Sequence, residues 1–247
     1  MPRLFAIRLP HLLDAVPSEA AVTQMTQTDP AYGPAHEPLL PMLIGCAAPQ
    51  FSVRTTMGQR SLAQYRGRWL VLFSHPADFT PVCTSEFIAF SKAHEQFRAL
   101  ACDLLAVSVD SLFSHIAWVR SIEERFGVRV PFPIAEDPSM AIARAYHMLH
   151  PLAADSSTVR AAFVIDPDGL IRALTWYPMS TGRSVAELLR LVVALQTSDA
   201  EGVSTPEGWR PGDDVIASPP LTVDEAAVEA GQNLDWYYRP AKGGPQS

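Results

Sequence analysis

"WLVLFSHPADFTPVCTSEF", residues 69–87, starts as an unbroken apolar run and ends as an amphipathic segment. Residues 69–74 read as a strand buried on both faces, because a strand with one wet face would alternate apolar and polar residues. Beyond the 76–81 loop, Glu86, Phe87, Phe90, His94 and Phe97 fall at helical spacing. The loop is stiffened by Pro76 and Pro81, and Cys83 falls where the first turn of the helix begins. Buried strand, rigid loop, thiol, helix: this order governs the reading of the rest.

Working outward, residues 104–109 in "DLLAVSVD" form a second buried strand, and residues 112–126 a helix with Ile116, Val119 and Ile122 on one face. "PFPI", residues 131–134, is a short strand. "DPSMAIARAYHM" then opens a helix with Asp137 as cap and Pro138 at its first position. Residues 50–55 suit an edge strand or a hairpin arm. Residues 161–165 and 170–176 are apolar runs joined by "DPDG", a hairpin turn in which Pro fixes the first bend and Gly takes a positive φ. Residues 184–196 are amphipathic, with Val185, Leu188, Leu189, Val192 and Leu195 facing inward. Alternating strands and helices predict an α/β protein, a thioredoxin-like fold whose central mixed sheet is flanked by helices. Beyond Asp199 the chain turns proline-rich, and residues 200–247 read as a small C-terminal domain suited to subunit contact. Residues 1–40 read as a flexible N-terminal extension, leaving 41–199 as the main domain.

Composition narrows the function. A 247-residue chain with 48% hydrophobic and 18% charged residues buries a large core. Its net charge of -7 gives no general attraction to nucleic acid or to anionic membrane. No apolar run is long enough to span a bilayer. "MPRLFAIRLPHLL" sets Arg3 and Arg8 among apolar residues, as a targeting peptide does. Arg8 and Pro10 interrupt that run, however, no small-residue cleavage site follows, and Met25 and Met42 are alternative starts. The three cysteines, Cys46, Cys83 and Cys102, form no C-x-x-C pair and no zinc spacing, and such sparse use suits the cytoplasm.

A thiol is a good nucleophile only as thiolate, which a helix N-terminus and a nearby cation both favour. Cys83 has the first of these, and Thr80 places a hydroxyl three residues away. Taken singly, the residues allow plainer readings: Cys83 as a small buried apolar group, Glu86 as a helix cap, His75 as a satisfied strand-end histidine, and Arg160 and Arg183 as surface ion-pair partners.

The pattern P-x-x-x-T-x-x-C, met by Pro76, Thr80 and Cys83, resembles the active-site signature of the peroxiredoxins. The longer "FSHPADFTPVCTSE" is similar to the single-cysteine, peroxiredoxin 6 type. So, in order, are "GCAAPQF" (45–51), "AVSVDS" (106–111), "PFPIAEDP" (131–138), "TVRAAFVIDPDG" (158–169), "YPMSTGR" (177–183) and "TPEGWRPGD" (205–213). The resemblance implies a thiol peroxidase needing no cofactor or metal. Cys83 would attack the peroxide and become a sulfenic acid. Arg160 would stabilise the thiolate and polarise the peroxide, Thr80 would hydrogen-bond the peroxide oxygens, and Pro76 would shield the sulfur from water. Glu86 and His75 would shape the pocket, with Arg183 as a second arginine beside it. Hydrogen peroxide and organic hydroperoxides are the implied substrates, an external thiol the reductant, and a homodimer or a ring of dimers the assembly. A peroxide sensor or chaperone-like oligomer on the same fold is the rival reading.

Two departures refine this expectation. No cysteine follows Cys102, which opens a core strand. Cys46 stands on the entry loop where relatives often carry Asp and is the alternative resolving thiol, but a single-cysteine cycle rescued by an outside thiol is the expectation. Some relatives of this type also carry a phospholipase site, but here Arg68 and Leu62 occupy its serine and histidine positions, which implies no such activity. His147 and His150 in "HMLHP" lack a third ligand and read as an exposed pair rather than a zinc site.

Overall fold

A computed structural model describes residues 42–149, 156–230 and 235–243. The opening run forms the central strand, Trp69–Ser74 (β3), buried along its whole length. Its residues alternate between two cores: Trp69, Val71 and Phe73 face one, Leu70 and Leu72 the other, which is why no polar residue interrupts it.

The sheet grows from both edges of this strand. Cys102–Ser108 (β4) and Ile134–Glu136 (β5) lie parallel to it on one side, followed by the hairpin of Ser52–Thr55 (β1) and Gly58–Ser61 (β2). On the other side Arg160–Ile165 (β6) and Ile171–Tyr177 (β7) run antiparallel. The order β2-β1-β5-β4-β3-β6-β7 makes the expected mixed sheet. Helices Pro81–Ala99 (α1), Leu112–Phe126 (α2) and Val185–Glu201 (α4) cover the Phe73 face, through Phe87, Phe90, Phe97, Trp118, Ile122, Leu188 and Val192. The short helix Ala141–Ala145 (α3) and a single turn at Leu62–Tyr65 cover the other face. After α4, strands Val203–Ser204 (β8), Val215–Ala217 (β9) and Pro240–Ala241 (β10) form a small antiparallel sheet, with helix Val223–Ala230 (α5) between the last two. Trp209 and Val215 pack it against Val193 and Ala194 of α4.

The 166–169 turn has the expected chemistry: Gly169 takes φ 74 and donates to the Asp166 carbonyl. Asp166 Oδ1 also accepts from Leu170 N at 2.9 Å. A Cβ on Gly169 would meet only the mobile guanidinium end of Arg66, so it is the backbone angle that demands glycine there.

Three details differ from the sequence reading. The strand expected at 131–134 lies at Ile134–Glu136, since Pro131 and Pro133 have no N–H to offer a ladder. The helix expected from Pro138 begins at Ala141, and Asp137 reaches forward to accept from Ala143 N at 2.7 Å, so it caps from outside the first turn. Within α2, Ile116 is 40% exposed, and the buried face is His115, Trp118 and Ile122. A buried histidine took the place that hydropathy assigns to isoleucine. None of the helices among the described residues is long and apolar enough to cross a membrane.

Phe90 stacks on Phe73, centroids 4.1 Å apart, and both rings are fully buried. Phe90→Ala is expected to destabilise the fold by about 3–5 kcal/mol, read as a lowered midpoint in urea unfolding.

Candidate active site

The loop after β3 ends at Thr80, which caps α1, with Pro81 in the first turn because that position needs no N–H. Thr80 O accepts from Thr84 N at 3.0 Å and from Thr84 Oγ1 at 2.8 Å, while Thr80 Oγ1 donates to Ala77 O at 2.9 Å. Phe79 adopts φ 56, a left-handed conformation that costs a non-glycine residue energy and needs support from its surroundings. Cys83 and Glu86 are three residues apart, so both point to the buried side of α1. The Cys83 side chain has no solvent exposure.

Arg160 reaches this thiol by register. Ala162 and Val164 face the core that contains Cys83, and the two-residue period of β6 puts Arg160 on the same side. Ser74 Oγ bridges the strand ends, donating to Val159 O and accepting from Ala161 N at 3.0 Å. Arg160 Nη1 lies 3.3 Å from Cys83 Sγ and 2.9 Å from Glu86 Oε2. Its Nε and Nη2 donate to Met179 O at 2.9 and 2.8 Å, which fixes the plane of the fork. Arg183 grips the same carboxylate, Nε to Oε1 at 2.9 Å and Nη2 to Oε2 at 2.8 Å, with its backbone N on Oε1 at 2.7 Å. Its Nη1 donates to Ala161 O at 2.7 Å, and its guanidinium lies 5.2 Å over the Phe73 ring.

Two buried cations thus share one buried anion. Burial pushes the Glu86 carboxyl pKa up, but the hydrogen bonds and charge of Arg183, then the charge of Arg160, outweigh it and hold the group below the usual range. One positive charge stays unmatched unless Cys83 is ionised. Such a cluster can pair with an anion at the sulfur and offer donors to an oxygen beside it.

His75 belongs to a second buried cluster, one turn of the loop away. Asp78 Oδ1 lies 2.8 Å from His75 Nε2, and Asp78 Oδ2 lies 2.8 Å from His115 Nδ1. Burial pushes the Asp78 pKa up, and the hydrogen bonds from the two imidazoles more than reverse this. Burial drives the His75 pKa below its ordinary value against the pull of Asp78. Both rings therefore donate N–H to an ionised carboxylate. His75, Asp78 and His115 are also the one group among the described residues with the ligand types and proximity for a metal ion. Separations of 2.8 Å with every member buried are accounted for by hydrogen bonding alone.

The structure brings Cys83, Glu86, Arg160 and Arg183 into one cluster, with Thr80 at the helix start and Pro76 buried in the preceding loop. His75 is paired with Asp78 instead. Asp78 and His115 escaped the sequence reading; the only signal was a histidine inside an otherwise apolar helical stripe. Cys102 is buried, its pKa pushed up to about 12 by burial, while Cys46 is exposed. Arg68 is tied to Asp103 at 2.8 and 3.0 Å, and Leu62 is core. The N-terminal extension and His150 lie outside the described residues.

Residues 44–174 match the model of the AhpC/TSA family, and residues 194–232 match that of the C-terminal domain of 1-Cys peroxiredoxin. A peroxiredoxin of Aquifex aeolicus is 48% identical over 208 residues, covering 78% of this chain and 94% of the relative. One of Methanosarcina mazei is 45% identical over 208 residues, covering 79% and 95%. A solved yeast mitochondrial 1-Cys peroxiredoxin superposes with TM-score 0.73 at 41% identity, covering 81% of this chain and 99% of its own. Peroxiredoxin 6 of Arenicola marina, solved as a cysteine-to-serine mutant, superposes with TM-score 0.74 at 30% identity, covering 83% and 100%.

Two expectations follow from the charges. Glu86→Gln leaves two buried guanidiniums without their carboxylate and should cost about 3–5 kcal/mol in denaturant unfolding at pH 7. His75 stays neutral in the fold but takes up a proton when unfolded, so its stabilising contribution is present above its ordinary pKa and is lost as pH falls. Below about pH 6.5 stability should fall with a limiting slope of about 1.4 kcal/mol per pH unit from this group, seen as a declining thermal midpoint.

Proposed function

The chain belongs to the peroxiredoxin family of thiol-dependent peroxidases, and on that premise we propose the following reaction and residue roles. Cys83, as thiolate, attacks the terminal oxygen of hydrogen peroxide or an organic hydroperoxide. The S–O bond forms as the O–O bond breaks, and the leaving oxygen takes a proton and departs as water or alcohol. Sulfur is left as the sulfenic acid. Arg160 stabilises the thiolate and then the charge that builds on the breaking bond. Thr80 Oγ1, its proton committed to the Ala77 carbonyl, offers lone pairs to the peroxide O–H. Pro76 keeps water off the sulfur. Glu86 and Arg183 hold the Arg160 fork in its plane. The observation that carries the reading is the 3.3 Å approach of Arg160 to Cys83 inside a buried cluster one negative charge short.

We assign a single-cysteine cycle to this site. Cys102 is buried with its thiol kept protonated, and Cys46 lies on the exposed entry loop, so an outside thiol returns the sulfenic acid to thiol. The yeast mitochondrial 1-Cys relative is described as resolved through glutathione and thioredoxin systems, which supports that class of reductant. A homodimer or a ring of dimers in the cytoplasm is the assembly and setting we propose. Residues 200–247 would supply a subunit contact, in keeping with exposed Leu221, Val223, Val228 and Trp236.

Stopped-flow mixing of reduced protein with hydrogen peroxide tests the reaction. Wild type should give a Cys83 sulfenic acid by mass analysis, Cys83→Ser none, and Arg160→Lys a rate lower by about a hundredfold or more. With an external thiol, Cys46→Ser should turn over like wild type. Oxidation of Cys83 without turnover under any thiol would favour the sensor reading, and a slow, ordinary Cys83 would end the peroxidase reading.

A further inference from the structure

Beside the Cys83 cluster lies a buried carboxylate that the peroxidase reading leaves unused: Asp78, between two imidazoles. Groups from β3, β4 and α2 converge on this residue. His75 closes β3, and its backbone N donates to Val107 O of β4 at 3.0 Å. His115 comes from the buried face of α2. The backbone N of Asp78 donates to Asp110 Oδ2 at 2.8 Å, and Ser108 Oγ holds that same oxygen at 3.1 Å. Asp78 stands between Pro76 and Thr80, directly before Phe79 with its left-handed backbone.

We propose that Asp78 is a positioning residue for peroxide reduction: through His75 and His115 it fixes the Pro76–Thr80 loop so that Thr80 and Cys83 meet the peroxide in register. The inference rests on the peroxidase reading of Cys83. An ionised carboxylate has two oxygens, and each accepts one imidazole N–H, so a single side chain locks β3 and α2 to the loop and sets the proton position on both rings. The positive φ of Phe79 is unfavourable for a non-glycine residue and persists only when its flanks are pinned. Asp78 pins one flank, and the Thr80 cap on α1 pins the other. Arg160 is held independently by Glu86 and Met179, so loosening Asp78 should disturb peroxide placement and leave the stabilisation of the thiolate intact.

Substitution at His115 separates this role from packing. Asn places an N–H where Nδ1 stood, whereas Leu fills the space without a donor. His115→Asn should keep the rate of peroxide reduction within about threefold of wild type, and His115→Leu should lose about tenfold or more. The ultraviolet titration of the Cys83 thiolate should be unchanged in both. Hydrogen exchange over residues 75–82 should be faster in the Leu protein alone. If the Leu variant does not fold, Asp78→Asn takes its place, with the same tenfold loss and unchanged thiolate titration expected. Leu as fast as Asn, Asn as slow as Leu, Asp78→Asn at the wild-type rate, or a thiolate titration that shifts with the rate would each overturn the proposal. A wild-type protein that does not reduce peroxide would instead count against the peroxidase reading, so the two failures are told apart.

Discussion

The constraint on which the rest of the structure depends is the withdrawal of two guanidiniums and a single carboxylate from water. Arg160, Arg183 and Glu86 are each almost fully buried, and a charge in that environment is tolerated only when paired and hydrogen-bonded. Glu86 is shared by both cations, and each cation spends further donors on a carbonyl, Met179 or Ala161. What the arrangement lacks is a second anion. The group beside it is the thiol 3.3 Å from Arg160, so the electrostatic need of the core falls on the same sulfur that the proposed reaction uses.

The second buried cluster works by geometry and not by unmatched charge. Asp78 accepts one hydrogen bond from each of two imidazoles, and its contribution is to join the end of β3, the start of α2 and the loop between Pro76 and Thr80. The two clusters share a wall: Phe87 packs edge-on against His75, 4.9 Å between centroids, and belongs to the same apolar core as Cys83. Phe73, Phe87 and Trp118, from β3, α1 and α2, pack together beside this wall.

Most of the architecture was legible because the signals were periodic. The apolar run of β3, the helical spacing after Pro81 and the Asp166–Gly169 turn each have a local physical cause. The failures lie where tertiary structure overrode local pattern. Pro131 and Pro133 displaced a strand that hydropathy placed on them, and Ile116 gave up its inward position to His115. At the site, Cys83, Thr80, Glu86, Arg160 and Arg183 were named from motif order, but the sequence could not show that one carboxylate serves both arginines. That requires knowing that β6 pairs with β3, a fact carried by register and not by any local stretch. Asp78 and His115 were hidden for the same reason: in sequence each is an ordinary polar residue, and only the closure of α2 over β3 makes them partners.

That register also governs when the thiol acquires its partners. Cys83 arrives early in the chain, but Arg160 is 77 residues away from it and Arg183 is 97 residues from Glu86. Contacts this distant form only after the intervening chain is available and β6 has found β3. During synthesis from the N-terminus, a nascent chain that has exposed Cys83 but not yet the β6–β7 hairpin carries a cysteine without its cations. The buried charge cluster around Cys83 is thus completed only with the fold itself, and an unfinished chain carries that cysteine without either arginine.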